Sequence, residues 1–419
     1  MRVLLLFFLA AMALALPSPQ HRIAPKVVYV PIGHPSKHFY TVNVTMGTPP
    51  QSASLFLDTG SPLTWTNDKD ALCLPGSSPS GCANSHAFFD PAQSDSYTLL
   101  NQSGFQALYG DGAQVQGDYF TDSFRIGSLP SNLGHKPFVV ENLTIGLTKK
   151  ESYYPKGYGM IGLSLKYPAN YSGKVEVVPG DTQILDVMKQ QGIRTRSFSL
   201  SLGHNDASSG SLVFGGYDPA KYEGPLTVLP MEQNPLWGTY TGYNVNVSSV
   251  AFTDSRGTTK KITSDTFNSV ALLDSGSELT DLSENIFKAV LKATGAHELE
   301  EGANTFHKVC DKIPVGSMDF EFGGLGESSR ISVKLSELFA PDEDLEADGS
   351  RLCRLMATDD ADDGTLGLNQ SFLRSAYVVH HLDEKVMGIA QAKNVDQGVG
   401  SLENVVEIKP GDSMWRRKE

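Results

Sequence analysis

Two stretches of the chain run apolar residues into an acid and follow it with a hydroxyl residue, a glycine and a serine: LFLDTGSPLTW (55–65) and ALLDSGSELT (271–280). A carboxylate at the end of a buried strand is unfavourable unless hydrogen bonds or a shared proton replace the lost water. The residues that follow provide for this, because glycine permits a tight backbone and both hydroxyl and backbone N–H groups can point at a carboxylate. Asp58 and Asp274 lie 274 − 58 = 216 residues apart in matching contexts. If a two-fold relation brings the two turns together, the acids hold one proton between them, because repulsion disfavours ionising both. One carboxylate then takes a proton from a water as the water attacks a peptide carbonyl, and the other protonates the developing oxyanion. That chemistry needs neither metal nor covalent intermediate, so no cofactor and no metal is expected. Taken singly, either acid reads as the cap of a turn; the matched pair points to catalysis.

The pair implies a duplicated scaffold. A second echo supports it, since GMIGLS (159–164) follows the first acid and GTLGLN (364–369) follows the second. Alternating runs such as HFYTVNVTMG (38–47), SFSLSLG (197–203) and SLVFGG (211–216) predict short strands. The best helical pattern is SENIFKAVLKATG (283–295), with Ser283 as N-cap and Gly295 as stop. The expected fold class is mostly β and bilobal, two pseudo-symmetric β lobes with a central cleft, joined near GPLTVLPM (224–231). A chain of 419 residues is long enough for two sizeable cores. The expected division is 1–15 signal peptide, 16–37 short pro-segment or N-terminal arm, 38–228 N-terminal lobe, 229–395 C-terminal lobe and 396–419 tail.

The run VLLLFFLAAMALAL (3–16) behind Arg2 ends in a small-x-small pattern at Ala13 and Ala15, which predicts export, a secreted and extracellular protein without a membrane anchor. Four cysteines fall as one close pair in each half, and Cys73 with Cys82 and Cys310 with Cys353 are the expected disulfides. Six sequons, at Asn43, Asn101, Asn142, Asn170, Asn246 and Asn369, are usable on a eukaryotic secretory route. A formal net charge of −13 argues against nucleic acid as a partner. No G-x-S-x-G elbow or H-E-x-x-H pattern supports a serine or metal hydrolase.

From about residue 38 to 392 the sequence resembles the pepsin-like aspartic peptidases of eukaryotes, in the style of a secreted fungal member. LFLDTGSPLTW and ALLDSGSELT are similar to the two active-site motifs of that family, ALYGDG (107–112) to its flap hairpin, YGMIGLS (158–164) and TLGLNQSFLRSAYVV (365–379) to the stretches threaded behind each aspartate, and 211–230 to the segment crossing between lobes. A proton shared by two aspartates is the established chemistry of that family. The resemblance implies a catalytic dyad of Asp58 and Asp274 under a flap, with extended peptide or protein substrates, pepstatin-type inhibitors as ligands and a monomeric enzyme. It further implies that Ser61 and Ser277 bond the outer oxygens of Asp58 and Asp274, that Thr59 and Ser275 cross-brace the loops, that Gly60 and Gly276 approach the carboxylates, and that Trp65 holds Tyr109 of the flap, beside Gly110 and Asp111. Glu278 and Asp111 depart from the family pattern and are expected to favour basic side chains near the scissile bond. His381 replaces a common aspartate near the last strand, and the pro-segment is short, with VVYVPI (27–32) as a candidate edge strand. The competing expectation is a catalytically silent binding or inhibitor protein on the same fold, which would show a damaged dyad or flap.

Overall fold

The computed structural model describes residues 27–35, 39–73, 87–110, 112–128, 136–152, 157–167, 183–204, 207, 209–323, 328–345, 349–361, 364–393 and 404–416. The fold is mostly β, and its organising feature is one arrangement built twice. The strand Gln51–Asp58 pairs antiparallel with Thr41–Met46 on one side and parallel with Gly159–Gly162 on the other. In the second half, Ser269–Leu273 pairs antiparallel with Thr239–Asp254 and parallel with Leu366–Leu368. Each acid therefore sits at the end of an interior strand, held on both edges by ladders that fix its height.

The registers reveal the true equivalence of the halves. Leu55 faces Gly159 and Leu57 faces Ile161, whereas Ala271 faces Leu366 and Leu273 faces Leu368. Next along each sheet, Trp65 faces Met160 and Asp281 faces Gly367. Gly159 thus corresponds to Leu366, two residues beyond the Gly364 that the repeated letters suggest, and Gly162 corresponds to Asn369. The reason is local. A Cβ at Gly162 would lie 2.5 Å from the backbone of Leu63, so that half needs glycine there. In the other half Asn369 stands off and bridges the gap with its side chain.

The core follows strand alternation. Along Thr41–Met46, Val42, Val44 and Met46 are buried while Asn43 faces solvent. Leu55 and Leu57 enter the main core, and Phe56 points the other way into a second cluster with Trp65, Phe105 and Tyr119, against which Tyr109 packs. The helix Glu284–Thr294 stops at Gly295, whose φ of 66° is a left-handed conformation suited to glycine.

The two halves share a sheet. Strands Val28–Gly33, Ser209–Phe214 and Ser197–Ser201 continue into Ala376–His381, Val386–Ala392 and Tyr222–Pro230, with Ser197 opposite His381 and Leu200 opposite Val378 at the junction. This corrects the expected N-terminal arm and edge strand. Val28–Gly33 lies between Ser209–Phe214 and Thr41–Met46, and Val28, Val30 and Ile32 are fully buried, so this strand belongs to the body of the fold. The boundary expected between 228 and 229 falls inside the strand Tyr222–Pro230. Part of the expected tail is also integral: Val406–Glu407 pairs with Gly216–Tyr217, and Ile408 and Trp415 are buried against Tyr377 and Val379.

Cys310 and Cys353 form the expected disulfide, bridging neighbouring elements of a four-stranded sheet. The other expected pair, Cys73 with Cys82, lies outside the described residues. Among the described residues no helix is long and apolar enough to cross a membrane. Of the sequons, Asn43, Asn101 and Asn142 are exposed, Asn246 is half-buried in a strand, and Asn170 lies outside the described residues. Asn369 contradicts its reading as a glycan acceptor. It is only 2% exposed, and its amide donates to the Leu279 carbonyl at 2.5 Å and to Asp281 at 3.2 Å.

Candidate active site

The turns after the two acid strands meet and lock. The Thr59 hydroxyl accepts from the Ser275 N–H at 2.9 Å and donates to the Leu273 carbonyl at 3.0 Å. Reciprocally, the Ser275 hydroxyl accepts from the Thr59 N–H at 3.1 Å and donates to the Leu57 carbonyl at 2.9 Å. Both side chains are fully buried. Four hydrogen bonds thus tie each loop to the residues just before and just after the other loop's acid, and the relative position of Asp58 and Asp274 is set by backbone on both sides.

The glycines permit the approach. Gly60 and Gly276 each donate their N–H to the acid of their own loop at 2.7 Å. Each also lies against the opposite carboxylate: a Cβ on Gly60 would come within 2.5 Å of Asp274 Oδ2, and one on Gly276 would collide with Asp58. Any side chain there would wedge the pair apart.

The surroundings of the two acids differ. Asp58 receives the Gly60 N–H, the Ser61 N–H at 3.2 Å and the Ser61 hydroxyl at 2.5 Å. Asp274 receives the Gly276 N–H, whereas the Ser277 hydroxyl donates to the Leu279 carbonyl at 3.3 Å. The expected bond from Ser277 to Asp274 is therefore replaced by a local turn contact. Burial pushes the Asp58 carboxyl above the usual carboxylate range, against the pull of the Ser61 and Gly60 donors. Burial first, and then the charge of Asp58, push Asp274 well above that range. With three donors against one, Asp58 is the better anion and Asp274 the better holder of a proton.

Over this pair stands the hairpin tip that carries Tyr109. Its hydroxyl accepts from the Trp65 indole N–H at 2.7 Å, and its backbone closes the turn with Ala113 at 2.9 Å and Gly112 at 3.0 Å. Burial, and next the charge of Asp58, hold the Tyr109 phenol well above its ordinary range, so it stays a neutral donor. Gly110 and Gly112 face open space, and Gly112 takes a φ of 87°. Asp111 lies outside the described residues, and Glu278 is half-buried beside Ser277.

Several residues at this site carry no role in the sequence-based reading. Tyr167 donates its hydroxyl to the Gly60 carbonyl at 3.0 Å, Gln370 donates its amide to the Ser275 carbonyl at 2.8 Å, and Tyr243 bonds the Leu163 carbonyl behind Asp58. Gln370 adjoins a motif that already stands out, but a lone tyrosine in a loop leaves no signal in one sequence.

Comparison with known proteins agrees with the geometry. The family profile described as eukaryotic aspartyl protease matches residues 39–392. The chain is 32% identical to the probable aspartic-type endopeptidase opsB of Aspergillus fumigatus over 377 residues, covering 89% of this chain and 71% of that one. It is 31% identical to the aspartic proteinase yapsin-3 of Saccharomyces cerevisiae, covering 88% and 68%. With the secreted aspartic protease 4 of Candida albicans the identity is 28%, covering 88% and 79%. Among solved structures, the aspartic proteinase from Irpex lacteus superposes with a TM-score of 0.65 at 21% identity, covering 88% of this chain and 98% of that one.

Proposed function

Because the chain belongs to the eukaryotic aspartyl protease family, we propose that this aspartic-type endopeptidase is exported and cleaves extended peptides in acid through a water activated between Asp58 and Asp274. The observation that carries the reading is the reciprocal bracing of the two loops by Thr59 and Ser275, which holds the two carboxyl groups together in one site. In the one-proton state, one carboxylate takes a proton from the water, whose oxygen attacks the peptide carbonyl carbon while the other carboxyl protonates the carbonyl oxygen. Collapse of the resulting diol breaks the C–N bond and delivers a proton to the leaving nitrogen, returning the pair to its starting charge. Both acids titrate above the usual range, and Asp274 does so further. Activity therefore falls when acid protonates Asp58 and when rising pH strips the shared proton, which places the optimum in acid. Tyr109, positioned by Trp65 and held neutral by burial and the charge of Asp58, is suited to donate to a substrate lying in the cleft.

The hydrophobic leader at 3–16 and the exposed sequons Asn43, Asn101 and Asn142 support a secreted, glycosylated protein. The test is digestion of a mixed peptide library from pH 3 to 7, with and without pepstatin, beside Asp58→Asn and Asp274→Asn. Cleavage that pepstatin blocks and both variants lose is the expected result. Undiminished cleavage by both variants would refute the mechanism. Adding Glu278→Ser asks whether that acid selects basic side chains; equal ratios of Lys-rich to Leu-rich products in both proteins would exclude it.

A further inference from the structure

Each aspartate loop is gripped from outside by a side chain that the cross-brace does not use. The carbonyl that accepts the Tyr167 hydroxyl at 3.0 Å belongs to the Gly60–Ser61 peptide, and the N–H of that same peptide donates to Asp58 Oδ1 at 3.2 Å. The carbonyl that accepts the Gln370 amide at 2.8 Å belongs to the Ser275–Gly276 peptide, whose N–H donates to Asp274 Oδ1 at 2.7 Å. Both halves therefore contain the same series: an outer donor, one peptide unit, then a carboxylate oxygen. The outer donors arise differently. Tyr167 comes from the loop after Gly159–Gly162, while Gln370 opens the short helix Gln370–Leu373 and is 1% exposed.

A peptide that accepts a hydrogen bond at its oxygen becomes a stronger donor at its nitrogen, because consecutive bonds polarise one another by about 10–30%. We propose that Tyr167 and Gln370 are positioning residues that aim and polarise these two peptides, so that each tunes how readily its aspartate carries negative charge. This rests on Asp58 and Asp274 being the catalytic pair. Loop support alone would lower stability without moving the titration of the pair. The ionisable groups facing Asp58 are Asp274 and Tyr109, the latter flanked by Tyr167, and those facing Asp274 are Asp58 and Asp281. Of these, the two brace variants below alter only Tyr167, and the control variant alters Asp58.

The test compares kcat/KM against pH on one peptide substrate for the full chain and for Tyr167→Phe, Gln370→Met and Asp58→Asn, with thermal midpoints measured alongside. Taking 10–30% of a charge-assisted hydrogen bond, loss of either brace shifts one limb upward by on the order of 0.3 pH unit. Tyr167→Phe is expected to move the acid limb, where the pair gains its first charge, and Gln370→Met the alkaline limb, where it gains its second. Where Gln370→Met fails to fold, the acid limb of Tyr167→Phe decides the matter alone. A lowered thermal midpoint with an unshifted profile overturns the braces. Full activity in Asp58→Asn overturns the catalytic pair and the braces with it, whereas an inactive Asp58→Asn beside an unshifted Tyr167→Phe overturns the braces only.

Discussion

The proposed activity in acid requires the chain to stay folded there, and His380 opposes that. The side chain is 1% exposed in the shared sheet, stacked on Phe198 with ring centroids 4.1 Å apart and set edge-on to Tyr243 at 4.4 Å. Burial lowers its pKa from 6.5 to about 3, against a smaller contribution from a hydrogen bond to the Phe198 backbone. The unfolded chain therefore takes up a proton at this residue as pH falls below 6.5, and the folded chain does not until about pH 3. Within that window the unfolded state binds more protons, so stability declines as pH falls, by about 1.4 kcal/mol per unit. Between 6.5 and an assay at pH 4 the span is 2.5 units, or about 3 kcal/mol, a large share of a typical folding free energy of about 5–15 kcal/mol. His380→Phe keeps an aromatic ring in the stack and removes the titration. Urea unfolding followed by tryptophan fluorescence at pH 7 and pH 4, both chains carrying Asp274→Asn to prevent self-digestion, isolates the effect. The carboxylates and His381 titrate in both proteins and cancel in the difference. The variant is expected to lose about 3 kcal/mol less than its parent on acidification. Equal losses in the two chains would refute the reasoning.

Removing the cross-brace by Thr59→Ala strands the buried Ser275 N–H and Leu273 carbonyl, each at a cost of about 1–3 kcal/mol. The unfolding free energy should drop by the corresponding amount, with kcat falling more than KM rises; unchanged stability would mean the hydroxyl is dispensable. In protein secreted from a eukaryotic host, peptide mapping after enzymatic deglycosylation in water enriched in the heavy oxygen isotope should find Asn369 unmodified, since its amide is already bonded to Leu279 and Asp281. A glycan at Asn369 would contradict the packing described here.

The acid pair, the duplication, the mostly β class and the helix ending at Gly295 are legible in the sequence because each leaves a short local pattern. Other features are written in no single stretch. The echo GTLGLN matches GMIGLS by letter, yet parallel pairing with Leu273 sets the register two residues away. Asn369 looks like a glycan acceptor because a sequon says nothing of burial. Val28–Gly33 looks like a detachable arm because the strands that cover its edges come from 41–46 and 209–214. Ser277 repeats Ser61 in sequence but finds the Leu279 carbonyl nearer to hand. Such outcomes depend on which distant backbone group arrives at hydrogen-bonding distance, and the chain reports that only once folded.

The shared sheet has a consequence for how the molecule comes into being. Ser197 and His381, neighbours at the junction, are separated by 381 − 197 = 184 residues of chain, and Trp415, buried against Tyr377 and Val379 beside them, comes later still. Synthesis runs from the N-terminus, and contacts so distant in sequence close late. The first half can leave the ribosome with its acid in place, but the second acid and the strands that fasten the halves follow only after it. A chain still in synthesis thus carries one acid of the pair without its partner until the second half has folded onto the first.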